Sequence, residues 1–161
     1  MAVGFWNFAG AGVFGFLINL PIVSYFEVGT LLTSNHGHTA MFGVFGMLAL
    51  AVLVLCLRAM QTEAAWKGTV RYVRAGFWGL NVGLALMVVT DLFPGGVLQL
   101  SDSLANGYWR ARRLTFLMSG TFHTLEWIRI FADGVFLVFG VAPMVIAAVL
   151  SLARRDAPRT A

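Results

Sequence analysis

The feature that most constrains this chain is an apolar run from Gly4 to Phe26 that contains no charged side chain. About 23 residues at the helical rise of 1.5 Å give about 34 Å, enough to cross a hydrocarbon core of about 30 Å. Three further apolar runs follow along the chain. Together they predict membrane spans over residues 4–26, 36–57, 77–98 and 130–152.

The composition agrees with a chain that lies within a membrane. Hydrophobic residues make up 59% of the 161 residues and charged residues only 11%, whereas a soluble domain carries about 25% charged residues. So few charges cannot cover a soluble surface, which excludes a cytosolic globule, a disordered tail and a coiled-coil rod. We therefore predict one all-α integral membrane domain with four transmembrane helices. An interfacial loop over residues 101–129 joins the last two, and a tail over residues 153–161 follows.

The basic residues predict the orientation of these helices. Of the eleven Lys and Arg residues, seven lie in the loop after the second span or in the tail: Arg58, Lys67, Arg71, Arg74, Arg154, Arg155 and Arg159. Because cytoplasmic loops are enriched in Lys and Arg, we predict a multi-pass protein of the inner (cytoplasmic) membrane with a cytoplasmic C-terminus. The basic residues flank apolar runs and do not cluster on one solvated face, so the expected partner is the lipid bilayer and not nucleic acid.

Two further patterns concern packing. All five tryptophans fall near predicted span ends, where an interfacial aromatic belt would place them. Gly79 and Gly83 have G-x-x-x-G spacing on the third span, and Ala11 and Gly15 are similarly spaced on the first. Small residues at this spacing predict close approach of neighbouring helices.

Two histidines, His36 and His38, open the second span. Ionisable residues inside a span are costly and tend to be functional. Residues two apart on a helix point about 200° apart, so these two cannot hold one metal from a regular helix. They can address two partners, and imidazole is a common axial ligand of haem iron. The spacing leaves three interpretations open: interfacial hydrogen bonding, ligation of two haems, or zinc or copper binding with further ligands such as His123 or Cys56.

The run HGHTAMFG at residues 36–43 resembles the two-haem helix of haem–copper oxidase large subunits, and most closely the nitric oxide reductase branch. The flanking sequence resembles the same branch over nearly the whole chain. The matching stretches are FWN at 5–7, GVFGFLINLP at 12–21, FWGLNVGLA at 77–85 and GYW at 107–109. This resemblance implies that the four spans correspond to the last four helices of such a subunit, closest to its quinol-dependent form.

The resemblance implies roles for individual residues. His36 matches the proximal ligand of the high-spin haem b3, and His38 matches one axial ligand of the low-spin haem b. In related oxidases, the loop between the last two helices pairs arginines with haem propionates. By the same resemblance, Arg110, Arg112 and Arg113 are candidates for such charge-assisted contacts.

The complete family site also needs groups that this sequence does not offer. A non-haem iron is held there by three histidines and a nearby glutamate, and the low-spin haem takes a second histidine from an early helix. We therefore expect a C-terminal fragment of a nitric oxide reductase large subunit, truncated or split, that shares two haems b with missing N-terminal helices or a companion chain. Quinol or cytochrome c would donate electrons for reduction of NO to N2O. Alone, the chain would not form the binuclear centre.

Three other functions remain open at this point. The chain could belong to an oxygen-reducing haem–copper oxidase, in which the same histidines would serve a haem–copper centre. It could be a non-enzymatic four-helix membrane protein that binds no haem. It could also be a small dihaem electron carrier completed by homodimerisation around His38.

Overall fold

The computed structural model describes residues 1–153 and consists mainly of helices. The three arginines of the predicted cytoplasmic tail, Arg154, Arg155 and Arg159, lie outside the described residues. In chain order the helices are α1 (Ala2–Ile18), α2 (Pro21–Glu27), α3 (Leu31–Ala59), α4 (Glu63–Asn106), α5 (Leu114–Leu117) and α6 (Gly120–Ala153).

Helices α3, α4 and α6 are each long and apolar enough to cross a membrane. Helices α1 and α2 pass the same test as a pair, although they are bent by 95° where they meet. The chain therefore has three continuous candidate spans, and four if the bent pair counts as one. The prediction of an all-α, multi-pass membrane protein is confirmed.

The first predicted span, residues 4–26, is broken near its second half. Leu20 has an extended backbone (φ −63°, ψ 130°) between α1 and α2. Proline causes this break, because Pro21 has no N–H to donate and disfavours a helical conformation of the residue before it. The Asn19 side-chain amide donates to the carbonyl of Gly15 (2.6 Å) and so stabilises the last turn of α1.

Helix α4 extends well beyond the predicted span at 77–98. Its 44 residues correspond to about 66 Å, roughly twice the hydrocarbon thickness. The helix continues through Pro94 because the preceding residues, Val88–Leu92, form wider π-helical turns, which shift the carbonyl that a proline ring would otherwise meet. It ends at Asn106, and the next residue, Gly107, has a φ of +94°, which suits glycine. The region 101–129 thus contains the end of α4, helix α5 and the beginning of α6.

Helices α4 and α6 pack with their backbones in close contact. A Cβ atom at Gly79 would fall on the carbonyl of Phe139, and one at Gly83 would lie 2.6 Å from the Cα of Phe136. The predicted close approach at this G-x-x-x-G pair is confirmed.

The interfacial role predicted for Trp6 is wrong: its side chain is 4% exposed, and the indole N–H donates to Asn81 Oδ1 (2.9 Å) inside the bundle.

Candidate functional site

The two histidines lie in the first turns of α3. The helix begins at Leu31, and the Thr30 hydroxyl accepts a hydrogen bond from the Leu32 amide (3.2 Å) as an N-terminal cap. His36 belongs to the regular first turns. His38 begins a wider π-helical stretch, His38–Gly46. Helix α3 therefore departs from regular α-helical geometry from His38 onward. Wider turns of this kind are frequent at functional sites.

The His36 ring is held against α1. Its Nδ1 lies 2.9 Å from the carbonyl oxygen of Gly10, and a Cβ atom at Gly15 would lie 2.9 Å from the ring Cε1. A carbonyl oxygen can only accept a hydrogen bond, so Nδ1 carries the proton and donates. The neutral ring then keeps its lone pair on Nε2, the nitrogen that could bind a metal.

The His38 ring has the same tautomer, which is fixed by a different contact. Its Nδ1 lies 2.8 Å from the carbonyl oxygen of Ser34, one turn earlier in α3. The proton is therefore again on Nδ1 and the lone pair on Nε2. Metal-bound histidines usually donate their other ring N–H to a carbonyl or carboxylate, which fixes the tautomer and ring orientation. Both rings are half-buried and fit this pattern.

The two rings have different surroundings. His36 contacts α1 and lies within electrostatic range of Glu27, a buried carboxylate that is also close to the Arg112 guanidinium. His38 lies within electrostatic range of Asp91, which is buried in α4. Asp91 forms an ion pair with Arg129 of α6 (3.6 Å). The structure therefore brings the histidines together on one helix but gives each its own set of neighbours.

The three arginines between α4 and α6 differ in their contacts. The terminal nitrogens of Arg112 donate to the carbonyls of Phe26 (3.0 Å) and Val28, to Tyr108 O (2.6 Å) and to Ser103 Oγ (3.0 Å). Its guanidinium also lies 3.6 Å from the centre of the Tyr108 ring. Arg110 is more exposed and pairs with Asp102 at 3.6 Å. Arg113 is exposed. Arg112 thus ties this loop to the connection between α2 and α3.

The remaining ligand candidates lie apart from this site. The Trp127 indole N–H donates to His123 Nε2 (3.0 Å), so that nitrogen is engaged in α6. Cys56 is exposed in the second half of α3. Residues 1–153 contain no group of three or more His, Cys, Asp or Glu residues that could hold a metal ion. A zinc site closed by four protein ligands is therefore not formed within this part of the chain.

Sequence analysis missed two contributions to the site. The Gly10 carbonyl cannot be identified from sequence because every residue has one. Gln99 of α4 binds the first residue of α3 (Leu31 N to Gln99 Oε1, 2.7 Å), and a glutamine within an apolar run was the available signal. The position of Gly15 was partly indicated by its spacing from Ala11.

Comparison with known proteins identifies the family of this chain. Residues 1–135 match the family described as cytochrome c and quinol oxidase polypeptide I. The chain is also 30% identical, over 95 residues, to a nitric oxide reductase subunit of Stutzerimonas stutzeri. That match covers 58% of this chain and 20% of the relative, so the chain spans a small part of the relative's length. With most of its residues matched, the chain belongs to the cytochrome c and quinol oxidase polypeptide I family of the haem–copper oxidase superfamily.

Proposed function

We propose that this chain is the C-terminal part of a nitric oxide reductase large subunit and supplies one axial ligand to each of two haems b. His36 is the proximal ligand of the high-spin haem b3, and His38 is an axial ligand of the low-spin haem b. The observation that carries the proposal is the pair of Nδ1 contacts to Gly10 O and Ser34 O. Both leave Nε2 with its lone pair, the state that haem iron requires.

When bound, the two haems would supply electron transfer and the reduction of NO to N2O, the latter together with a non-haem iron held by the rest of the subunit. This chain's part is to orient the imidazoles. Arg110 and Arg113 have exposed side chains that suit charge-assisted contacts to haem propionates. Arg112 suits them less well, because both of its terminal nitrogens already donate to backbone carbonyls.

The proposed setting is the inner membrane, with the C-terminal tail in the cytoplasm. The proposed partners are the preceding helices of the subunit or a companion chain, and quinol or cytochrome c as electron donor. The match covers only 20% of a nitric oxide reductase subunit, which supports partners that supply the rest of such a subunit. The exposed aromatic residues of α1, including Phe8 (72% exposed) and Phe16 (67%), suit contact with lipid or with further membrane helices.

The first test is haem binding by the chain produced in membranes and purified in mild detergent. We expect protohaem in reduced-minus-oxidised spectra. His36→Ala and His38→Ala should each remove one of the two bound haems, measured as haem per chain. Each loss should be close to complete, because the chain offers one ligand per haem.

His123→Ala is the matched control, since this third histidine is engaged by Trp127 and its loss should leave the haem content unchanged. Haem retained equally in all three variants would contradict the assignment. A folded, helical wild-type chain without haem would show that ligation by this chain alone is wrong.

A second candidate function is oxygen reduction, which the match to the cytochrome c and quinol oxidase family favours. The same two histidines would then face a haem–copper centre. The chain completed with the preceding helices should discriminate the two. Anaerobic consumption of NO with formation of N2O supports the first proposal, whereas consumption of O2 without N2O formation supports the second.

A further inference from the structure

The first turn of α3 is hydrogen-bonded to α4 through the side-chain amide of one buried residue, Gln99. Gln99 is 4% exposed. Its Oε1 accepts a hydrogen bond from the Leu31 amide (2.7 Å). Its Nε2 donates to the carbonyl of Ala111 (3.2 Å) in the loop after α4. One amide thus connects α4 with the first residue of α3 and with the loop that carries the arginines.

The Leu31 amide has no hydrogen-bond acceptor within α3. The first N–H groups of any helix lack intrahelical partners, and inside a protein they need another acceptor. The Thr30 hydroxyl accepts a hydrogen bond from the Leu32 amide. The Leu31 amide donates to Gln99 Oε1, which lies 68 positions away in sequence. This contact differs from an ordinary cap, because the acceptor belongs to another helix. It therefore fixes the position of α3 along α4 as well as satisfying the amide.

The backbone of α4 is shaped for this contact. A Cβ atom at Gly96 would lie 2.5 Å from the Leu32 amide nitrogen, and one at Gly95 would lie 2.7 Å from Leu31 Cδ1. At Gly96 the neighbouring atom is backbone, so only glycine there lets α4 approach the first turn of α3 closely enough for Gln99 to reach the Leu31 amide. The Pro-Gly-Gly sequence at 94–96 thus has a packing role that its composition did not indicate.

We propose that Gln99 is a positioning residue for the two histidines, which it sets through the first turn of α3. His36 lies five residues after Leu31, or about 7.5 Å along the helix, over which a helix is stiff. A shift of the first turn is therefore passed on to both rings, whereas a ligand has to be held to within about 0.5 Å. Only the spectroscopic test of this proposal depends on the proposed haem ligation.

The test compares Gln99→Leu, which removes both hydrogen bonds, with Gln99→Glu, which keeps an acceptor for Leu31. Gln61→Leu is the matched control. Gln61 is also buried (7% exposed), and its Nε2 donates to Thr69 Oγ1 (3.3 Å) at the other end of α4. Gln99→Met, which has similar length and no amide, replaces the leucine variant if that variant does not accumulate.

The first readout is hydrogen–deuterium exchange of residues 31–38 in the chain in detergent. We expect about tenfold faster exchange in Gln99→Leu, recovery in Gln99→Glu and no change in Gln61→Leu. This measurement does not need haem. Unchanged exchange in Gln99→Leu would overturn the proposal even if haem binding by His36 and His38 is confirmed.

The second readout is the haem spectrum of the loaded chain. We expect haem affinity to fall about tenfold in Gln99→Leu, the lower end of what is seen for groups that orient metal ligands, with a changed haem spectrum and recovery in Gln99→Glu. An equal change in Gln61→Leu would show general destabilisation and overturn the proposal. A wild-type chain without haem would count against the proposed function, and the exchange comparison would still decide the role of Gln99.

Discussion

Each histidine of α3 is oriented by one backbone carbonyl, and this contact decides which ring nitrogen is left for a ligand. Gly10 supplies the carbonyl for His36, and Ser34 supplies it for His38. A carbonyl is a fixed acceptor, so the tautomer does not depend on a second titrating side chain. The rings are thus prepared for a ligand by the polypeptide alone.

Gly15 gives a test of this arrangement at the His36 ring. In Gly15→Ala the new methyl group would lie 2.9 Å from His36 Cε1, so the ring must move and its bond to Gly10 O is weakened. Crowding of this kind costs about 1–3 kcal/mol, more than the roughly 0.5–1 kcal/mol that replacing glycine by alanine gains in a helix. We expect a lower thermal midpoint by circular dichroism and a weaker high-spin haem signal.

Gly4→Ala is the control in the same helix, because a Cβ atom there would meet nothing within 4 Å. It should leave the midpoint unchanged or slightly raised. If Gly15→Ala behaves like Gly4→Ala in both measurements, the ring is not confined by α1 and the assigned contact is wrong.

The histidine site shows how far sequence can predict at this scale. The spacing of His36 and His38 predicted two separate environments, because helix periodicity is a local property of the chain. The carbonyl of Gly10 and the amide of Gln99 come from other helices, and only the packed structure brings them to α3. Arg112 illustrates the same limit: the family resemblance implied a contact with a haem propionate, whereas the structure shows its terminal nitrogens donating to backbone carbonyls.

At the scale of elements, the contact between α4 and α6 depends on small residues on both helices. Gly79 and Gly83 of α4 lie against Phe139 and Phe136 of α6, and Gly140 of α6 lies against Leu80. The G-x-x-x-G spacing was sufficient to predict this contact, because the motif permits backbone approach wherever a partner helix exists. It could not name the partner helix, nor could it indicate Gly140.

Gly79→Ala should therefore destabilise the helix bundle. Its Cβ atom would overlap the carbonyl of Phe139, and backbone cannot rotate away as a side chain can. We expect a loss of at least about 1–3 kcal/mol, measured as a lower midpoint of thermal unfolding. Gly134→Ala in α6 has open space around the new methyl group and should be neutral or slightly stabilising. Equal midpoints for the two variants would contradict the close contact.

The break between α1 and α2 shows where prediction of elements failed. Hydropathy treats residues 4–26 as one span, because it averages over a window and is insensitive to one extended residue. The conformation of Leu20 before Pro21 divides the segment and turns α2 by 95°. Pro94 and Pro143 do not end their helices, since wider turns at Val88–Leu92 and Phe136–Val141 precede them.

At the scale of the whole molecule, the directions of α3 and α4 determine toward which face of the membrane the histidines lie. The first turn of α3 packs on α4 near Gln99, close to the end of α4 at Asn106. The turn from Ala59 to Glu63 lies at the opposite end of both helices, and Arg58, Lys67, Arg71 and Arg74 are close to it in sequence. The charge distribution therefore predicts that this turn is cytoplasmic and that the histidines lie toward the other face.

Two cysteines introduced into α4 would test this orientation directly. In a Cys56→Ser background, Ala64→Cys and Ala105→Cys place thiols at exposed positions near the two ends of one helix, about 62 Å apart at 1.5 Å per residue. A membrane-impermeant maleimide should label Ala105→Cys in intact spheroplasts and Ala64→Cys only in inside-out vesicles. The reverse pattern would place His36 and His38 toward the cytoplasm, and the positive-inside assignment would then be wrong for this chain. Labelling of both positions from one side would mean that α4 does not cross the membrane.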